Sequence, residues 1–208
     1  MTRYYGHATA AERQRIAYLE AKGVRASAEE RLELALLNVE PAHEIGGAVE
    51  VLRSLLSRDT SDYRARFWLA YCSVYELGSE PALEEAIGLC DEILQSAAPD
   101  RLKAGALMLK ATAFRDLGRG QDPLPELRQS ISLAADWVSN RQELAQVMLE
   151  RGEHAMARAQ LERALAAPLV STGGLSVVDA RFEELVTARV GLGVRDRIRK
   201  ELTKLVEF

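Results

Sequence analysis

Hydrophobic residues along this chain recur at helical spacing, and one arrangement returns five times. A small or aliphatic residue is followed by mostly hydrophobic positions four, seven and eight residues on. The instances are Ala48-Leu52-Leu55-Leu56, Ala86-Cys90-Ile93-Leu94, Pro123-Leu127-Ser130-Ile131, Ala157-Leu161-Ala164-Leu165 and Ile198-Leu202-Leu205-Val206. These offsets fall on one face of a helix, so each instance is a buried stripe. Successive first members lie 38, 37, 34 and 41 residues apart. A stripe returning at such a period predicts stacked helical hairpins, each burying its neighbour's open face.

The residues between the stripes predict eleven helices and no strand. Helix one covers about Ala8 to Ala21 and stops at Gly23, a residue that turns left-handed without penalty. Ser27 and Glu30 form a capping box for helix two, each meeting the other's free backbone donor. That helix ends near Asn38, before a loop from Glu40 to Gly47, and helix three starts near Ala48 or slightly earlier. Gly78, Gly118, Gly152 and Gly193 each precede the second helix of a pair. Pro81 opens helix five, and Asp122-Pro123 opens helix seven, proline being harmless in a first turn. The polar stretch Pro168 to Ser176 is a loop, and it accounts for the long last spacing. Ser176 and Asp179 cap helix ten, and helix eleven reaches the C-terminus. The expected organisation is an N-terminal helix within 1–25 and a repeat region over 26–208. Its hairpins fall at about 26–58, 62–97, 100–135, 136–168 and 176–208.

The later hairpins resemble tetratricopeptide repeats (TPR). The clearest carries Leu144-Ala145, Gly152, Ala157, Leu161, Ala164-Leu165 and Pro168. A second is Leu69-Ala70 with Gly78, Ala86 and Pro99. Lys110-Ala111 with Phe114, Gly118 and Leu127, and Leu185-Val186 with Gly193 and Ile198, follow more loosely. Pro123 and Ser130 replace the usual alanines, and Trp68 and Trp137 stand out of place for the family's tryptophan. Sel1-like repeats and plain helical hairpins are the competing readings. The resemblance spans about Ala26 to Phe208. It implies an all-α, right-handed superhelix of about five hairpins, working as a protein-interaction module.

Composition narrows the partner. The chain has 208 residues, 48% apolar and 28% charged, with net charge −4. Acidic and basic residues are interspersed, which argues against nucleic acid. No apolar run of about 18 residues exists, so no membrane span is expected. Met1–His7 has no apolar signal core, and a cytoplasmic location is expected. Cys72 and Cys90 occupy apolar helical positions and read as inert buried thiols. A disulfide between them is not needed by a chain of this length.

Catalytic chemistry finds no constellation. His7, His43 and His154 share no helix face, and no paired-cysteine motif supplies the four ligands of a zinc site. No nucleophile–base pair, phosphate loop or cofactor motif is present. Glu29-Glu30 and Glu84-Glu85 suit helix N-termini. The expectation is no enzyme, no metal and no cofactor.

What remains is a groove. By resemblance, first helices line a concave face, and its residues here are Phe67, Tyr71 and Tyr75, then Met108, Thr112 and Arg115, then Gln142, Gln146 and Glu150. Tyr63 extends the aromatic row by a turn. Aromatics with polar tips suit a partner surface. The competing reading makes the stripe core, with Leu69, Ala70 and Ser73 as the other face of that helix; both faces are not expected to be buried. The family's carboxylate clamp of lysine, arginine and asparagine is not supplied, so an acidic C-terminal tail is not the expected ligand. The partner expected is another protein, presenting a peptide or helix. Structural self-association as a homodimer and a cryptic enzyme are the alternatives. Helix eleven carries Arg195, Arg197, Arg199, Lys200 and Lys204 beside its apolar stripe. It reads as a solenoid cap, or as a surface for a membrane or acidic partner.

Overall fold

The structure, a computed structural model, describes residues 8–39, 44–167, 176, 178–180, 182 and 193–205, without the side chains of 193–197. The Pro168–Ser176 loop apart from Ser176, most of the expected tenth helix with Leu185-Val186, and His7 and His43 lie outside the described residues. Among the described residues all regular structure is helical. The helices are α1 (Ala10–Lys22), α2 (Ala28–Val39), α3 (Ile45–Arg58), α4 (Tyr63–Cys72), α5 (Glu80–Gln95), α6 (Asp100–Leu117), α7 (Leu124–Leu133), α8 (Val138–Glu150), α9 (His154–Ala166) and a C-terminal helix (Gly193–Leu205). Residues 178–180 and 182 are helical as well. None of the helices is long and apolar enough to cross a membrane, among the described residues.

The recurring stripe is the core of the stack. Ala48, Leu52, Leu55, Ala86, Cys90, Ile93, Leu127, Ser130, Ala157, Leu161, Ala164 and Ile198 are all buried. Leu56, Leu94, Ile131 and Leu165, the fourth members, are half-buried at its margin. Consecutive helices pack on each other from α1 through α9, and the C-terminal helix packs on α9. Its Ile198 is buried while Arg199, Lys200 and Lys204 are exposed.

Local chemistry sets the ends. The Ser27–Glu30 box closes as expected, with the Ser27 N–H donating to Glu30 (2.9 Å) and the Glu30 N–H donating to the Ser27 hydroxyl (3.2 Å). A second box, Thr9 with Glu12, starts α1 and was equally available in the sequence. Gly78 and Gly118 close their helices at φ 58° and 64°, where any side chain would be strained.

Three details depart from the sequence reading. Helix α3 begins at Ile45, so Gly46 and Gly47, expected at the end of the loop, lie in its first turn. Gly47 faces the Asn38 amide, and a Cβ there would stand 3.5 Å from it, an ordinary contact distance. Helix α4 ends in a π turn over Ser73–Leu77, closed by the Gly78 N–H donating to the Ser73 carbonyl (3.0 Å). Third, α4 has no wet face: every residue from Ala65 to Val74 is buried. The expectation that only one of its faces could be buried fails because α2, α3, α5 and α6 all pack on this helix.

Candidate functional site

Helices α2, α4, α6 and α8 touch one another in series and form one continuous layer. Ion pairs tie the layer laterally. Arg64 of α4 holds Glu29 of α2 at 2.7 Å, and Arg115 of α6 holds Glu143 of α8 at 2.6 Å. Arg101 at the start of α6 holds Asp136, just before α8, at 2.8 Å.

The layer's middle is aromatic. Phe67, Trp68, Tyr71 and Tyr75 form a ladder down α4, with ring centroids 5.5, 5.5 and 4.9 Å apart in turn. Gly105 of α6 lies between Phe67 and Trp137. A Cβ there would fall 2.7 Å from the Phe67 ring and 2.6 Å from the Trp137 ring. The absence of a side chain on α6 is therefore what lets rings from α4 and from the start of α8 share one space.

A third ring enters that space. Phe182 packs edge-on to Phe67, with centroids 5.1 Å apart and planes at 78°, and lies 5.6 Å from Trp137. Such separations and tilts suit the ring quadrupoles. One turn earlier on the same segment, Asp179 approaches Arg64 at 3.8 Å. Burial opposes the charge on Arg64, but Glu29, Asp62 and Asp179 outweigh it and raise its pKa.

The expected groove residues divide by exposure. Phe67, Tyr71, Met108 and Thr112 are buried; Tyr75, Arg115 and Gln142 are half-buried; Gln146 and Glu150 are exposed. Phe67 is fully buried, enclosed by Trp68, Phe182 and the Gly105 backbone. Thr112 donates its hydroxyl to the Met108 carbonyl within α6 (3.0 Å), so it offers no free donor. Arg115 is engaged by Glu143 and by Asp116 at 3.1 Å. Burial pushes the Glu143 carboxyl upward, and the charge on Arg115 only partly offsets it. Gln146 donates to Glu150 at 3.1 Å along the exposed edge of α8.

Sequence reasoning missed Gly105, Trp137 and Phe182. The signal for Trp137 was its misfit with the repeat pattern, which marked it as serving another purpose. Among the described residues no group of three or more histidine, cysteine, aspartate or glutamate side chains could hold a metal. Cys72 and Cys90 are both free and buried.

A layer of alternate helices with the intervening ones outside it is the arrangement of tetratricopeptide arrays. Solved structures agree. A thermophilic TPR protein of Thermus thermophilus, TTC0263, superimposes with a TM-score of 0.57 at 19% identity, covering 85% of this chain and 100% of its own. This chain has the fold of a TPR protein. A double mutant of MamA RS-1 matches the TPR-like array with a TM-score of 0.56 at 13% identity, over 75% of this chain and 84% of its own. No protein-family model matches the sequence, and neither does any curated protein sequence.

Proposed function

We propose that this chain is a non-catalytic protein-interaction scaffold, holding a peptide or helix of a partner protein against the layer of α2, α4, α6 and α8. The observation that carries the reading is Phe182: a helical residue distant in sequence lies on that layer and packs against two of its rings. A face that accommodates one helix turn has the shape and chemistry to take another. The half of the layer toward Tyr75, Arg115, Gln142 and Gln146 is the more exposed part and extends the contact surface. The TPR fold supports a scaffold role in general, and the choice of partner belongs to these side chains.

Because Phe67 and Tyr71 are buried, substituting them would test folding rather than binding. The test therefore uses half-buried Gln142 and exposed Gln146. Tagged wild type and a Gln142→Arg/Gln146→Arg variant are used to capture proteins from a lysate of the native source, followed by mass spectrometry. A partner retained by wild type and lost by an equally helical variant supports the proposal. Identical captured sets, or no captured protein, would overturn it.

A further inference from the structure

In a helical-repeat stack each unit touches only its neighbours. Phe182 breaks that rule. It belongs to the stretch after α9, yet its ring meets Phe67 of α4, with α6 and α8 intervening in the layer. Asp179 repeats the anomaly by reaching Arg64, also on α4. A next hairpin continuing the stack would lie beside α8 and α9; Phe182 does meet Trp137 at the start of α8, but it and Asp179 also reach past α6 to Phe67 and Arg64 of α4.

The segment has the features of a bound ligand. Ser176 caps it, accepting from the Asp179 N–H at 3.1 Å and donating to the Asp179 carboxylate at 2.9 Å. Asp179 and Phe182 are three residues apart, so they share one helix face. Val178 is buried beside them. The receptor side is equally ordered: Arg64 is held in place by Glu29, and Phe67 and Trp137 meet over Gly105.

The seating is also loose. Phe182 is only half-buried. Asp179 and Arg64 meet near the limit of ion-pair distance, with half of the Asp179 side chain exposed. The indole Nε1–H of Trp137 is buried and has no acceptor among the described residues. An exposed ion pair and one half-buried ring hold weakly by themselves. What favours them is the tether, which supplies the segment at an effective concentration in the millimolar range.

We infer that the turn around Asp179 and Phe182 is an internal stand-in for a partner helix: the pocket of Arg64, Phe67, Gly105 and Trp137 recognises an acidic residue three positions before an aromatic one, and the chain fills that pocket itself until such a partner displaces it. The inference rests on the proposed concave-face function and adds the partner's chemistry and its regulation. A partner then binds more weakly than the pocket allows, by the fraction of time the pocket is free.

The test uses the full chain and a probe made from its own sequence, a fluorescein-labelled peptide of residues 174–190, read by anisotropy. The Phe182→Ser chain should bind this peptide at least tenfold more tightly than wild type does. A peptide carrying F182S should not bind either chain. Since F182S could disturb folding, a second chain, Asp179→Lys, alters an exposed side chain and should bind the peptide severalfold more tightly than wild type. Adding Arg64→Glu to the F182S chain should weaken the unmodified peptide and favour one carrying D179K. Equal binding to wild type and both variant chains, or binding to none of them, would overturn the inference. No external partner enters this experiment, so its outcome is independent of the lysate capture.

Discussion

Alanine at position 105 should destabilise this protein, while alanine at position 88 should stabilise it. Both glycines lie within helices at ordinary φ, and neither neighbours a helix end. On propensity alone each change to alanine gains about 0.5–1 kcal/mol. At Gly88 a new methyl meets nothing within 4 Å, so that gain should be realised. At Gly105 it would meet Trp137 at 2.6 Å and Phe67 at 2.7 Å, distances that require a ring to move. Both rings are fully buried, and a close-packed interior resists such a movement. Overpacking of this kind costs about 1–3 kcal/mol. The propensity gain is common to both variants, so their difference isolates the steric cost, again about 1–3 kcal/mol. For a chain of this size each kcal/mol corresponds to roughly 2–4 °C in melting temperature. Urea unfolding followed by circular dichroism reads the same difference as a lower midpoint for Gly105→Ala. If Gly105→Ala unfolds at or above the midpoint of Gly88→Ala, the three-ring site is not packed as described.

Four further outcomes follow from the same packing. Phe67→Ala should cost about 3–5 kcal/mol, as a fully buried ring does, and urea denaturation would show it; a loss under about 1 kcal/mol would mean that Phe67 is not core. Burial pushes the Cys72 thiol up to about 12 and raises Cys90 also, so iodoacetamide at about pH 8 should label neither in the native protein and both in urea, as read by mass spectrometry. Glu30 is held below the usual carboxylate range by Lys22 and Ser27, Asp59 by Ser61, and Asp122 by the Leu124 N–H and Arg151; their folded pKa values lie below the unfolded ones, so their stabilisation is complete above about pH 4.5 and is lost as pH falls below it. Melting curves from about pH 6 to 2.5 should show that loss, and the triple variant Glu30→Gln/Asp59→Asn/Asp122→Asn should flatten it. Asn140→Ala should destabilise by about 1–3 kcal/mol, because the amide donates to Ala134 and Ser130, and its removal leaves the buried Ala134 carbonyl without that donor; thermal melting checks it.

The solenoid was legible because its signal is redundant. Ala86, Cys90 and Ile93 occupy the same places as Ala157, Leu161 and Ala164, so one degenerate copy could be read through the others. Ser130 illustrates the limit of that redundancy. As a departure from the alanine pattern it weakens the resemblance, yet its hydroxyl donates to the Ala104 carbonyl at 2.7 Å and accepts from Asn140, joining α6, α7 and α8. Periodicity registers size and polarity at a position; a hydrogen bond to a residue 26 positions away leaves no periodic trace. The start of α3 was legible only to within a turn. Gly46 and Gly47 count as loop formers in sequence, yet both lie in the first turn of α3, where a Cβ would meet nothing nearer than the Asn38 amide at 3.5 Å, so neighbouring packing leaves no mark on the choice of residue there.

The candidate site was half legible, and the missing half has one physical cause. The row Phe67, Tyr71 and Tyr75 stands out at four-residue spacing, and whether it is groove or core cannot be decided on α4 alone. The row is packed within the helix layer, with Phe67 and Tyr71 buried and Tyr75 half-buried, and its first ring is covered by Phe182, more than a hundred residues away in sequence. A repeat pattern carries the assumption that contacts are between neighbours, so it assigns residue 182 a place at the end of the stack. The contact that matters violates that assumption. The hints were single residues that served no repeat: a glycine in mid-helix at 105 and a tryptophan out of register at 137. Each is costly or idle within its own hairpin, the glycine by about 1 kcal/mol against alanine. Together they make room for a ring that neither hairpin supplies. In repeat arrays of this kind, residues that weaken the repeat are therefore the places to look for what the array holds.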